Sequence, residues 1–323
     1  MTWLLTADLH LTDRPKDSYR FGLFRWLRRQ QQDHTTTATF ILGDITDRKD
    51  NHSSALVNKI VEELLSLKPP IYILRGNHDC IDPTNPYFGF LSYIEGVHFV
   101  TEPTLLREYD LAMIPHQRDE SSFAQTCASL PASHYMLHQT FDGAIAETGG
   151  RLTGFSTSPI DLKQPLRVWA GDIHRPQTVN CVAYVGSPFQ VRFGDDFTPR
   201  VLLVRNTIER DLFFPCLKKW SLTMTDPNDL HSYAMQRGDQ VKITMRLTRE
   251  EVVGWAAQRR AVLAICKSLG VDVFGLDMEV IGGAGRRVKV KVINPADVFN
   301  AFCVTENVAS NVKQVGQEIL KDV

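Results

Sequence analysis

Five apolar stretches of this chain end on Asp, Asn or His: "LLTADLH", "FILGDITD", "YILRGNHD", "YMLHQ" and "VWAGDIH". This recurrence constrains the fold more than any other feature. Each stretch reads as a buried strand with its polar residues at the end, and layered α/β folds build their sites just beyond the carboxyl ends of strands. One such ending is an ordinary turn or a core histidine; five together predict a single site at one edge of a sheet system.

The segments between them agree. "YRFGLFRWLRRQQQ" has the apolar spacing of an amphipathic helix, and "SSALVNKIVEELLSL" reads as a helix with a Ser cap. Strand–helix alternation of this kind predicts an α/β layered fold. After it come short strands at "GVHFVTE", "DLAMIPH", "HYMLHQT", "LRVWAGDIH", "VAYVGS" and "RVLLVRN". The rhythm breaks in "PCLKKWSLTMTDPNDL", which suggests a boundary and a division into 1–218, 219–294 and 295–323. The middle part reads as a small α/β unit: strand "DQVKITMRL", a helix over 248–270, then strands "VFGLDMEVI" and "RRVKVKVI". "PADVFNAFCVTEN" and "SNVKQVGQEILKDV" read as closing helices, the first opened by Pro295.

Bulk properties narrow the function. The chain has 323 residues and a net charge of −1, so nucleic acid, if bound, meets a local patch or a partner rather than a basic domain. The six cysteines are dispersed without a CxxC pair, which argues against a disulfide framework or zinc ribbon. No apolar run approaches the roughly 18 residues of a membrane span, and Asp8 interrupts any signal-like core, so a cytoplasmic protein is expected. No GxxxxGK[ST] phosphate loop is present, so any ATP dependence must come from another chain.

The residue types suit divalent metals. Carboxylate, amide and imidazole groups favour Mn²⁺, Mg²⁺, Fe²⁺ or Zn²⁺ over a thiolate-seeking ion. Two such ions about 3.5–4 Å apart can clamp a phosphate and activate water. A pair of that kind needs a bridging carboxylate, and a proton donor for the leaving oxygen.

The set "DLH", "GDITD", "GNHD", "H" and "GDIH" resembles the calcineurin-like metallophosphoesterases. The segment "YVGSPFQVRFGD" is similar to the Gly-Ser-Pro element of SbcD-type DNA repair nucleases. The short chain and terse linkers fit a phage-encoded member, active in the host cytoplasm. The resemblance spans residues 1–205 by motif and is architectural beyond them. It implies an αββα double-sheet sandwich, a small α/β capping domain and C-terminal helices. It implies one ion held by Asp8, His10, Asp44 and His174 and a second by Asp44, Asn77, His138 and Asp172, with Mn²⁺ the leading choice and Mg²⁺ next. His78 would supply a proton, with Asp79 orienting it. Two positions depart from the pattern: Asp172 stands where the family usually has His, and Asp47, Arg48 and His52 stand where related nucleases often carry a catalytic His.

The implied activity is exo- and endonucleolytic cleavage of DNA in repair or recombination, together with an SbcC-type ATPase and as a homodimer within a heterotetramer. Phosphoester hydrolysis on a cyclic nucleotide or phosphoprotein is the alternative enzyme reading, and a non-catalytic scaffold the alternative outside enzymes. "RRVKVKV" places Arg287, Lys289 and Lys291 on one strand face, able to meet a phosphate backbone or simply water. Arg20, Arg25, Arg28 and Arg29 read as a solvated face, and the aromatic helix at 17–30 as a candidate dimer interface. The closing helices at 295–323 are expected to grip the ATPase partner.

Overall fold

A computed structural model describes residues 1–281, 295–306, 308–310 and 312–314. Arg287, Lys289 and Lys291, the strand expected around them and most of the last helix lie outside the described residues. The chain forms two compact units. One comprises Met1–Leu222, Ala234–Lys242 and Cys266–Gly275; the other takes the described residues of Thr223–Tyr233, Ile243–Ile265 and Leu276–Val323.

The first unit carries two six-stranded sheets. Its strands are β1 (Thr2–Thr6), β2 (Ala38–Ile41), β3 (Ile71–Leu74), β4 (Val97–Val100), β5 (Thr104–Leu106), β6 (Leu111–Ile114), β7 (His134–His138), β8 (Arg167–Gly171), β9 (Gln177–Val179), β10 (Val182–Tyr184), β11 (Val201–Arg205) and β12 (Ile208–Leu212). One sheet has the order β12-β11-β1-β2-β3-β4 and the other β5-β6-β7-β8-β10-β9. β1 to β4 run parallel, as do β6, β7, β8 and β10, so the ligand-type endings of β1, β2 and β3 share one edge and those of β7 and β8 another.

Strand periodicity builds the layers. Trp3, Leu5, Phe40, Leu42, Tyr72 and Leu74 turn inward to meet Leu111, Met113, Met136 and Trp169 between the sheets. Their alternate neighbours point outward. Leu4, Ile41 and Ile73 pack under Leu23, Phe24 and Leu27 of α1 (Gly22–Asp33) and Leu56, Ile60 and Leu64 of α2 (Ser54–Leu65). On the other side Ala112, Ile114, Tyr135 and Leu137 pack under Phe123 and Cys127 of α3 (Glu120–Ser129) and Ile160 of α4 (Ser158–Asp161). Three apolar layers separated by two sheets make the αββα sandwich that the resemblance implies.

Some local expectations change. The first helix is preceded by a 3-10 turn at Pro15–Phe21, and Arg20 on that turn is buried rather than solvated. Phe21 and Phe24 also point into the core, with Tyr19 and Trp26 partly buried against it. Ser53 caps α2 as predicted, accepting from Leu56 N. β12 is exposed except at Leu212 and carries no continuous apolar run; it forms because a two-residue turn after Arg205 folds it back onto β11. The segment read as a break contains β13 (Lys219–Met224), which pairs with β14 (Gln240–Leu247), itself paired with β15 (Asp272–Val280). The helix expected over 248–270 is a 3-10 turn followed by α5 (Trp255–Leu269), and α6 spans Pro295–Thr305.

Candidate metal centre

Every predicted ligand sits at or just past a strand end of the first unit. Asp8 and His10 follow β1, Asp44 follows β2, Asn77 and His78 follow β3, His138 closes β7, and Asp172 and His174 follow β8. The sheets bring them together. His10 Nε2 lies 2.9 Å from His174 Nε2 and 3.6 Å from Asp44 Oδ2. His138 Nε2 lies 3.4 Å from the other Asp44 oxygen, 3.4 Å from Asn77 Oδ1 and 3.7 Å from Asp172 Oδ1. Asp44 thus turns one oxygen toward each histidine. Two groups of side chains converge tightly enough to share an ion: Asp8 with His10 and His174, and Asp8 with Asp44 and His138.

The backbone is bent to achieve this. Asp8, His10, Asp44 and Asp172 have φ of 54°, 40°, 53° and 84°. Such left-handed geometry costs a non-glycine residue about 1–2 kcal/mol and concentrates where function over-determines the chain. Gly43 explains the "GD" spelling before Asp44: its φ is 90°, and a Cβ there would lie 2.1 Å from His138 Nδ1.

Charge in the cluster is unbalanced. Asp8 is raised well above the usual carboxylate range by burial, with Asp44 and Asp172 adding to it. Burial would raise Asp44 too, but His138 and His10 hold it below. His138 is held well above its ordinary value because Asp44, Asp172 and Asp8 outweigh its burial. Burial pushes His10 well down and His174 down, leaving imidazoles with lone pairs to offer. Among the described residues, Asp8 Oδ2, His10 Nδ1 and His174 Nδ1 have no hydrogen-bond partner. Buried carboxylates need a positive partner, and His138 faces three of them, with His10 and His78 beside Asp44 only. The donor set therefore fits divalent cations. The Nδ1 of His138 makes a 2.6 Å contact to Leu42 O, the carbonyl bond that commonly fixes a metal-binding imidazole.

Residues 1–124 match the calcineurin-like phosphoesterase family. A solved structure described as a novel archaeal phosphodiesterase is similar at 12% identity and a TM-score of 0.39, covering 66% of this chain and 100% of that one. No curated protein matches. The phosphoesterase match covers the strand ends that supply Asp8, His10, Asp44, Asn77 and His78; His138, Asp172 and His174 reach the same place from the second sheet.

The supporting contacts differ in detail from those the sequence implies. Asp79 does not orient His78. Its carboxylate accepts from the backbone N–H groups of Asp44, Ile45 and Gly76, pinning the β2 and β3 endings together. Burial, with Asp44 beside it, raises Asp79 to about 6. His78 is oriented instead by a 3.0 Å contact from Nδ1 to Asp47 O, and its backbone N–H donates to Asp44 Oδ1. Of the three candidates after the bridging position, Asp47 comes nearest, with Oδ1 3.8 Å from His10 Nδ1. Arg48 is exposed, and His52 lies against Tyr87 and Phe88.

Other participants escaped the sequence reading. Thr140 Oγ1 donates to Asp172 Oδ2, and Glu147 accepts from His174 N at 3.1 Å. Both occupy loops whose course depends on tertiary packing. His116 did carry a signal, since it ends the apolar run of "LAMIPH" as the other ligands end theirs. Its ring centroid lies 6.3 Å from that of His138, and burial, with His138 and Arg75 adding, lowers it to about 4.

No helix among the described residues is long and apolar enough to cross a membrane.

Proposed function

We propose that this chain hydrolyses phosphodiester bonds in DNA as the nuclease subunit of an SbcD-type pair, with an SbcC-type ATPase as partner. The observation that carries the hydrolytic part is the convergence of Asp8, Asp44, Asp172, His10, His138 and His174, from two sheets, on one buried cluster short of positive charge. Asp8, His10, Asp44 and His174 would hold one divalent ion, and Asp44, Asn77, His138 and Asp172 the other, Mn²⁺ for preference. Bound there, the ions supply neutralisation of a phosphate and activation of water. The protein's own part is positional. Asp44 spans both halves of the cluster, and Thr140 holds the Asp172 carboxylate. His78, anchored by Nδ1–H to Asp47 O, would as the imidazolium donate its Nε2 proton to the leaving oxygen.

The DNA part rests on the Gly-Ser-Pro segment, whose Ser187 is built into the site by a bond to Asp8 O. The proposal extends to residues 219–294 as a cap and 295–323 as the ATPase grip. Deleting 295–323 should abolish copurification with the ATPase and leave metal-dependent hydrolysis intact; copurification of the truncated chain would remove that assignment.

The test of the function is degradation of end-labelled linear DNA, single- and double-stranded, in Mn²⁺, Mg²⁺ or chelator, beside Asp44→Ala. Mn²⁺-dependent cutting lost in the variant is the expected result. Hydrolysis of a simple phosphodiester without cutting of DNA, even with the ATPase present, would move the substrate to a smaller ester. No hydrolysis of either would favour a scaffold.

A further inference from the structure

Two of the left-handed residues, Asp8 and His10, have their carbonyl oxygens held by buried side chains. Ser187 Oγ donates to Asp8 O at 3.0 Å, and Arg20 Nη1 donates to His10 O at 2.5 Å. Arg20 reaches further. Its Nη2 donates to Val191 O at 2.9 Å, and its guanidinium lies 5.1 Å from the centre of the Phe189 ring. Arg20 therefore ties the loop after β1 to the segment that contains Ser187.

Arg20 is only 2% exposed. Burying a guanidinium costs several kcal/mol unless its charge and donors are met. The charge is met by Asp17, 3.4 Å away, which also takes Lys219 Nζ at 3.2 Å and Thr12 Oγ1 at 3.2 Å. Nη1 and Nη2 go to backbone carbonyls, while Nε has no hydrogen-bond partner among the described residues. Such a group is a poor choice for packing alone, where an apolar side chain would fill the space without the desolvation.

The strain at His10 supplies the reason. With φ at 40°, His10 is in a conformation that an unrestrained loop would leave, and its ring would then turn away from His174 and Asp44. We propose that Arg20 is a positioning residue: by holding His10 O it fixes the imidazole where the ion-binding cluster needs it, with Ser187 doing the same for Asp8. This rests on the reading of the cluster as a metal centre.

The test is titration of Mn²⁺ followed by the electron paramagnetic resonance signal of the free ion, on the full chain. The variants are Arg20→Met, Arg20→Lys and Ser187→Ala, with Phe123→Leu as a control in the core beneath α3, where, among the described residues, no contact to Arg20 or Ser187 is made. Arg20→Met should weaken Mn²⁺ binding about 10–100-fold, the range seen when a ligand's supporting contact is removed. Arg20→Lys should recover part of it, because one donor can still reach a carbonyl. Phe123→Leu should lower the melting temperature and leave affinity unchanged. Wild-type affinity in Arg20→Met, or an equal loss in Phe123→Leu, would overturn the positioning role while leaving the metal centre standing. Should Arg20→Met fail to fold, Ser187→Ala decides: weaker Mn²⁺ binding in it supports the clamp, and unchanged binding overturns it. Absence of Mn²⁺ binding by the wild-type chain would instead overturn the metal centre itself, and the clamp with it.

Discussion

At the scale of single residues the site is made of strained aspartates, the histidines that face them and the glycines that let them approach. Gly171, just before Asp172, shows how little room there is. A Cβ there would sit 2.1 Å from Leu42 O and 2.9 Å from His138 Nδ1. Because one obstacle is backbone, Gly171→Ala should cost about 1–3 kcal/mol in urea denaturation and disturb metal binding as well. Asp172 presents the opposite case. The family resemblance puts His there, at a φ of 84° that any non-glycine residue adopts under strain. Asp172→His should keep both ions, lose the Thr140 contact, and shift preference from Mn²⁺ toward Zn²⁺ in a competition titration. Loss of both ions on that change would count against Asp172 as a ligand.

At the scale of elements, the strands were legible where an apolar run and a polar ending coincide, as at Asp8, Asp44 and His138. β12 was not, because a surface hairpin needs only a turn and a partner strand. Thr140 and Glu147 were not, because neither stands on an element whose direction the sequence sets. Arg20 was misread for a related reason: the arginine spacing of "RFGLFRWLRR" says nothing about where a 3-10 turn ends and α1 begins, and it is that junction that turns Arg20 inward and Arg25, Arg28 and Arg29 out. The sandwich itself depends on residues such as Trp169 of β8, fully buried between the sheets with Nε1 donating to Glu209. Trp169→Ala should cost about 3–5 kcal/mol in chemical denaturation. Asp17 links the 3-10 turn to β13 through Lys219. Burial would raise its carboxyl, but Arg20 and Lys219 hold it below the usual range. A carboxylate depressed by folding stabilises the native state above its unfolded-state value, and that contribution is lost as pH falls through the folded-state value. Asp17→Asn should therefore be about 2 kcal/mol less stable at pH 7, and the gap from wild type should close below about pH 4.

At the scale of the whole molecule, a net charge of −1 coexists with a cluster that gathers Asp8, Asp44 and Asp172 in a buried place. Two sheets packed face to face, with the ligand-bearing strand ends at one rim, explain how residues as far apart as His10 and His174 come within 2.9 Å. The charge deficit there is the reason to expect cations, and the family match of residues 1–124 is the reason to expect a phosphoester. Counting ions tests that account most directly. Equilibrium dialysis of the purified chain against Mn²⁺, with the bound metal measured per chain, should give about two ions for the wild type. Asp44→Ala, which removes the carboxylate facing both halves, should bind fewer than one. A wild-type chain that binds none, or an Asp44→Ala chain that still binds two, would contradict it.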